Sequence, residues 1–173
     1  MKIIRTSQLI EVLTIPSLCD IVEPTFYKQP AVLLPIWQRS MFGKYTPKMQ
    51  RIETPVFSQY KTDDFTIQIG AFDDQTIFGA GIQVTNKGNG LGTKLINQIL
   101  DYCDDNGYEF HQTPLPGKFD SSNQIYQLDK SRFVRDMKRI FLDFKRLEKY
   151  YESFGFEWCN DLGFSTMVYN KLK

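Results

Sequence analysis

From Thr54 to Val84 the apolar and polar positions alternate with a period of two. Val56, Phe57 and Tyr60 precede a turn at Thr62-Asp63-Asp64, Phe65 to Gly70 alternates, and Asp73-Asp74-Gln75 leads into Thr76 to Val84. Alternation cut by turn residues predicts antiparallel hairpins. Gly79 and Gly81 inside the last of these strands predict a bulge or a close backbone approach. The period then lengthens to that of a helix: Leu91, Leu95, Ile99 and Tyr102 share a face with Ile96, Leu100 and Cys103 beside them, and Asn106-Gly107 is the stop. Tyr108 to Thr113 reads as a strand and Pro114 to Asn123 as a loop. Asp129 opens a long amphipathic helix with Phe133, Met137, Ile140, Phe141, Phe144, Leu147, Tyr151 and Phe154 on its apolar face and Gly155 at its end. Phe164 to Leu172 closes the chain as a strand.

The first third is less periodic. Lys2 to Arg5 reads as a short first strand and Ser7 as the cap of a helix, with Glu11 one place late for a capping box. Pro16, Pro24, Pro30, Pro35 and Pro47 divide the stretch beyond that helix into short helices and turns. The whole pattern predicts an α/β (α+β) layered fold with a mixed sheet.

Composition narrows the classes. A chain of 173 residues reads as one domain, large enough to bury a core without disulfides or metal. Its 21 basic and 20 acidic residues leave a net charge of +1, so no global field directs it to nucleic acid or an acidic membrane. The longest apolar run, Ala31 to Trp37, contains Pro35 and is far short of the ~20 residues of a membrane span. Met1 to Arg5 has the basic start of a secretory leader but no apolar region behind it. The expectation is a soluble cytoplasmic protein. Cys19, Cys103 and Cys159 are dispersed and His111 is the sole histidine, so no zinc or other metal site is expected. The thiols read as reduced, with Cys103 on an apolar helix face; a nucleophilic pair of Cys103 or Cys159 with His111 stays open.

The segment Lys87-Gly88-Asn89-Gly90-Leu91-Gly92-Thr93 joins a strand to a helix. A glycine-rich turn there is an anion site in physical terms, because the first helical amides lack internal partners and the helix dipole is positive at that end. The order Gly-Thr-Lys at 92–94 is wrong for a Walker A loop, and antiparallel hairpins precede the turn where a dinucleotide fingerprint would open a βαβ unit. Nucleotide binding is the remote alternative, and a plain turn into a helix is the bland one.

The turn also fits the pattern [Q/R]xxGx[G/A] with lysine in first place, and Tyr150-Tyr151-Glu152-Ser153-Phe154-Gly155-Phe156 fits an "FYeklGF" ending of a helix. In these two motifs, and in the final strand Met167 to Leu172, the chain resembles the GNAT superfamily of N-acetyltransferases over residues 65–172. The resemblance implies a mostly antiparallel sheet split between its fourth and fifth strands, with helices on both faces. Residues 54–173 would be the acetyl-CoA-binding core, with an insertion at about 114–128, and residues 1–53 variable helices on the acceptor side. Acetyl-CoA would lie in the split, its pyrophosphate on Lys87, Gly88, Asn89, Gly90, Leu91, Gly92 and Thr93 and its pantetheine along Ile82, Gln83 and Val84. A primary amine would attack the thioester directly, the backbone at the strand-four bulge would polarise the carbonyl, and Tyr151 would protonate the leaving thiolate. Tyr150, one residue away, is expected to point elsewhere.

The base is not given by the motif, because Thr76 to Val84 carries no ionisable side chain. Glu109 and His111, two apart on one strand, share a face and are the candidates. Phe144 stands where the family's helix carries asparagine. Lys130, Arg132, Arg135, Lys138, Arg139, Lys145, Arg146 and Lys149 make the long helix basic between residues 130 and 149, interleaved with acids. A solvated, paired face is one reading and a dock for nucleic acid or an acidic partner the other. The alternative to a working transferase is therefore a catalytically silent GNAT-fold protein that binds a macromolecule. A homodimer is a further expectation from the family.

Overall fold

The computed structural model describes residues 5–27, 31–39, 45–53, 56–85, 88–112, 118–120, 125–127, 137–159 and 166–170. The elements are α1 (Thr6–Val12), α2 (Pro16–Cys19), β1 (Thr25–Tyr27), β2 (Ala31–Arg39), β3 (Tyr45–Glu53), β4 (Phe57–Lys61), β5 (Phe65–Ala71) and β6 (Thr76–Val84). They continue with α3 (Leu91–Asn106), β7 (Glu109–Gln112), β8 (Lys118–Asp120), β9 (Ile125–Gln127), α4 (Met137–Glu152), β10 (Glu157–Cys159) and β11 (Thr166–Tyr169).

Seven strands form the main sheet in the order β1-β4-β5-β6-β7-β11-β10. Short polar turns make β4, β5 and β6 antiparallel neighbours, whereas the α3 crossover makes β6 and β7 parallel. The remaining pairs are antiparallel. This is the expected α/β architecture with a mixed, mostly antiparallel sheet. The parallel pair is short: Thr76 to Gly79 lie against Glu109 to Gln112, and β6 then runs on to Val84 beside β5 alone. Among the described strands none continues the ladder on the β7 side, so the described sheet splits there.

The two glycines act as predicted. Ile69 pairs with Gly79 but Gln68 pairs with Gly81, so Ala80 is the extra residue of a bulge where the split opens. A Cβ on Gly79 would stand 1.8 Å from Gln112 Oε1, which is the close approach.

Register puts Val56, Ser58, Tyr60, Ile67, Ile69, Ala71, Ile77 and Phe110 on one face of the sheet. One apolar cluster forms there, running in sequence from Leu9 to Met167. The Tyr60 hydroxyl donates to Leu13 O (2.7 Å) and accepts from Ile15 N–H (2.9 Å), fixing the α1–α2 turn to β4. The Tyr102 hydroxyl donates to Val12 O (2.8 Å), tying α3 to α1. Tyr151 and Phe156 bring the end of α4 into the same cluster. Among the described residues, then, the helices expected on both faces share this one. The other face carries Phe57, Gln59, Gln68, Phe78, His111 and Thr166, all buried, and β8 and β9 lie against β6.

Several boundaries differ from the expectation. Residues 31–53 hold a β2–β3 hairpin with Pro35 opposite Met49 and Pro47 opposite Trp37, in place of short helices and turns. In a two-stranded ribbon each strand has an outer edge, where a residue without an N–H is tolerated. Helix α1 is capped from Arg5, whose N–H donates to Gln8 Oε1 (2.9 Å), and Ser7 is inside it. The 114–123 loop contains β8, and β10 has no counterpart in the periodicity. The expected strand at 2–4 and the helix start at 129–136 lie outside the described residues.

Candidate functional site

Helix α3 starts without a side-chain cap. Its N-cap is Gly90 at φ 80°, and Gly88 two residues earlier is at φ 90°, a backbone region that other residues rarely adopt. Asn89 Oδ1 accepts from Leu91 N–H (3.1 Å), and Lys94 N–H closes on Gly90 O (3.0 Å). Among the described residues the amides of Gly92 and Thr93 have no acceptor, so two donors remain at the positive end of a 16-residue helix. Space is open beside Gly88 and Gly90, where a Cβ would meet nothing within 4 Å. Gly92 is backed by Val84 and Tyr150, whose Cγ2 and hydroxyl would lie 3.6 and 3.8 Å from its Cβ. The end of β6, the glycine turn and the end of α4 therefore meet at one point. Lys87, expected to add charge, lies outside the described residues.

The aromatic pair of α4 divides between the glycine turn and the core. The half-buried Tyr150 reaches the turn, its hydroxyl 2.9 Å from Thr93 Oγ1. Tyr151, 7% exposed, packs on Phe156 in the cluster, and burial pushes its hydroxyl well above the usual tyrosine range. Helical geometry explains both: successive residues stand about 100° apart, so one tyrosine faces the core and the next faces α3. Ile82 and Val84 are half-buried against the cluster, Gln83 is exposed, and all three belong to the stretch of β6 beyond the split.

On the opposite face Glu109 and His111 meet as their spacing predicts. His111 Nε2 is 2.6 Å from Glu109 Oε1, and Asn170 Nδ2 donates to Glu109 Oε2 (3.0 Å). His111 is 0% exposed, while the Glu109 side chain is 21% exposed. The other ring nitrogen, Nδ1, is 2.8 Å from Thr166 Oγ1 and 3.9 Å from Cys159 Sγ. Sequence reasoning missed Thr166 and Asn170 and left Cys159 as one of two thiols. The strand pairing that brings them to His111 joins β7 to β11 and β11 to β10, and β10 is too short to show a pattern.

Among the described residues no group of three or more His, Cys, Asp or Glu is arranged to hold a metal, and no helix is long and apolar enough to cross a membrane. On the basic helix Lys145 pairs with Glu148 (3.3 Å), which also accepts from Trp158 Nε1–H (2.8 Å). Lys130, Arg132 and Arg135 lie outside the described residues.

No protein-family model matches the chain, and no curated protein matches it in sequence. Among solved structures, the anti-CRISPR protein AcrVA5 matches with a TM-score of 0.41 and 18% identity, over 65% of this chain and 96% of that one. The chemistry open to the site rests on its own geometry.

Proposed function

We propose that the chain transfers an acyl group, acetyl in the simplest case, from acyl-CoA to a primary amine. The observation that carries this reading is the junction of an uncapped helix N-terminus with a split sheet. The Gly88–Thr93 turn offers amides to an anion, and directly behind it β6 runs past β7 with an edge that no described strand pairs. A molecule with a phosphate at one end and an extended amide-bearing arm at the other suits both features. CoA has that form, with Gly88 to Thr93 holding its pyrophosphate and Ile82 to Val84 its pantetheine. Bound there, it supplies the thioester from which the acyl group is drawn.

Tyr150 extends this site, its hydroxyl placed to donate to an anion on the first turn of α3. The GNAT resemblance assigns thiolate protonation to Tyr151, whose burial keeps it protonated at neutral pH. His111 backed by Glu109 is the proton acceptor on the other face. Residues 1–173 act as one domain in this reading. The acceptor amine is approached through the face bearing His111.

Calorimetric titration with acetyl-CoA, with ATP and NAD as controls, tests it. Micromolar binding of acetyl-CoA with silent controls is expected, weakened up to about tenfold in Tyr150→Phe by loss of one hydrogen bond. Absence of acetyl-CoA binding would end the cofactor reading. A second reading, a catalytically silent relative that docks a macromolecule, draws on the core position of Tyr151. It predicts binding of acetyl-CoA without turnover on any amine.

A further inference from the structure

We infer that Cys159 is a nucleophilic thiol that takes the acyl group from acyl-CoA before the amine does, activated through Thr166, His111 and Glu109. The inference rests on the acyltransferase reading for its thioester.

With Glu109 ionised and the His111 proton on Nε2, the hydrogen bonds run in one direction. The Glu109 carboxylate accepts from Asn170 Nδ2–H (3.0 Å) and from His111 Nε2–H (2.6 Å). With that proton on Nε2, Nδ1 carries a lone pair and accepts from the Thr166 hydroxyl at 2.8 Å. The Thr166 oxygen in turn has Cys159 Sγ at 3.6 Å as its S–H donor, and Sγ is 3.9 Å from Nδ1 itself. Thiol, hydroxyl, imidazole and carboxylate thus form a nucleophile–base–orienter series with one added hydroxyl. Its middle members are dry, His111 at 0% and Thr166 at 2% exposure, while Cys159 is half-buried.

Position supports the same assignment. Met167 pairs with Gln112, the last residue of β7, so Thr166 lies one residue further, beyond the end of β7 at which the sheet splits. Glu109 sits at the opposite, closed end of the β6–β7 pair. The relay therefore has its thiol end, not its carboxylate end, at the level along the strands where the described sheet splits, on β10, with β11 and β7 between it and β6. Of the other thiols, Cys103 is fully buried and pushed up to about 12 by burial, which suits a packing role.

The step balances without a redox partner. The Cys159 S–H proton moves through Thr166 to His111 Nδ1, Sγ forms a bond to the thioester carbon, and the C–S bond to CoA breaks. The CoA thiolate leaves with that proton, drawn from His111 in place of Tyr151. The amine nitrogen then attacks the acyl-Cys159 carbon, the C–Sγ bond breaks, and the thiolate recovers the proton that the amine sheds.

The test incubates the full chain with acetyl-CoA and, separately, with S-acetyl-N-acetylcysteamine, and locates acetyl groups by peptide mass spectrometry. Iodoacetamide alkylation of Cys159 at neutral pH is timed in the native sequence, in Thr166→Val and in His111→Asn. Thr166→Val keeps the side-chain shape should His111→Asn fail to fold. Acetyl on Cys159 from either thioester, together with alkylation slowed about tenfold or more in the variants, is expected. Cys159 left unmodified by both thioesters, or alkylated equally fast in every chain, overturns the proposal. Acetylation by the short thioester without binding of acetyl-CoA keeps the thiol site and overturns the cofactor reading instead.

Discussion

Two glycines near the split resist substitution for different physical reasons, and the difference is measurable. At Gly79 the obstacle is contact: an added Cβ would meet Gln112 Oε1 at 1.8 Å and Phe110 Cζ at 3.3 Å, across the only parallel pair in the described sheet. Gly79→Ala should lower stability by about 1–3 kcal/mol, as overpacking of a tight interior does, seen as a lower urea midpoint. At Gly90 nothing stands within 4 Å, but φ is +80°. Gly90→Ala should cost about 1–2 kcal/mol through backbone strain alone. The accompanying signature is weaker acetyl-CoA binding, because relief of the strain turns the α3 amides. Gly79→Ala with an unchanged midpoint would mean that Gln112 swings aside freely.

Among the elements, α1 and α2 are short, 7 and 4 residues, and Tyr60 of β4 fixes the turn between them. Tyr60 is 0% exposed and its hydroxyl serves both Leu13 O and Ile15 N–H. Tyr60→Phe keeps the ring and strands the buried Ile15 N–H, while Leu13 O keeps the Ser58 hydroxyl at 3.4 Å, a loss of about 1–3 kcal/mol in denaturant melts. Hydrogen exchange at Ile15 should quicken at the same time, and an unaltered rate there would show that the turn has another anchor. These elements also mark how far the sequence speaks. Strands β4 to β6 and helix α3 were legible because each repeats its period over several turns or pleats, with Asp-rich or glycine stops. The glycine turn was legible because glycine placement is a local requirement. The β2–β3 hairpin was not, since proline reads as a breaker until the ribbon's outer edges are known. Nor was the setting of His111: Glu109 is two residues away and was found, whereas Thr166 and Cys159 arrive through strand pairings 55 and 48 residues distant. The period put Tyr151 on the apolar face of α4, whereas the meeting of Tyr150 with the glycine turn depended on which side of α4 faces α3.

For the molecule as a whole, one cluster joins α1 near the start of the described chain to β11 near its end, and it contains several weak acids. Burial, as the first cause, raises Tyr60, Tyr102 and Tyr151 well above the ordinary tyrosine value of 10.0 and Cys103 from 9.0 to about 12. Tyr169 rises to about 12 through burial and through its hydrogen bond to the Asp104 carboxylate (2.9 Å). In every case the folded group holds its proton at a pH where the unfolded group has released it. The unfolded state therefore binds fewer protons in this range, and stability falls as pH rises. The contribution is complete below about pH 9, begins to fade through the unfolded thiol and tyrosine values, and continues to fall toward about pH 12. Urea midpoints should be level between about pH 7 and 8.5 and drop steeply above about pH 10. Tyr151→Phe separates this effect from hydrogen-bond loss, because among the described residues its hydroxyl has no partner, unlike that of Tyr60. Its midpoint at neutral pH should stay close to that of the native sequence, and its alkaline decline should be shallower. Parallel alkaline curves for the two chains would mean that Tyr151 ionises freely, which the dry packing of its ring against Phe156 does not allow.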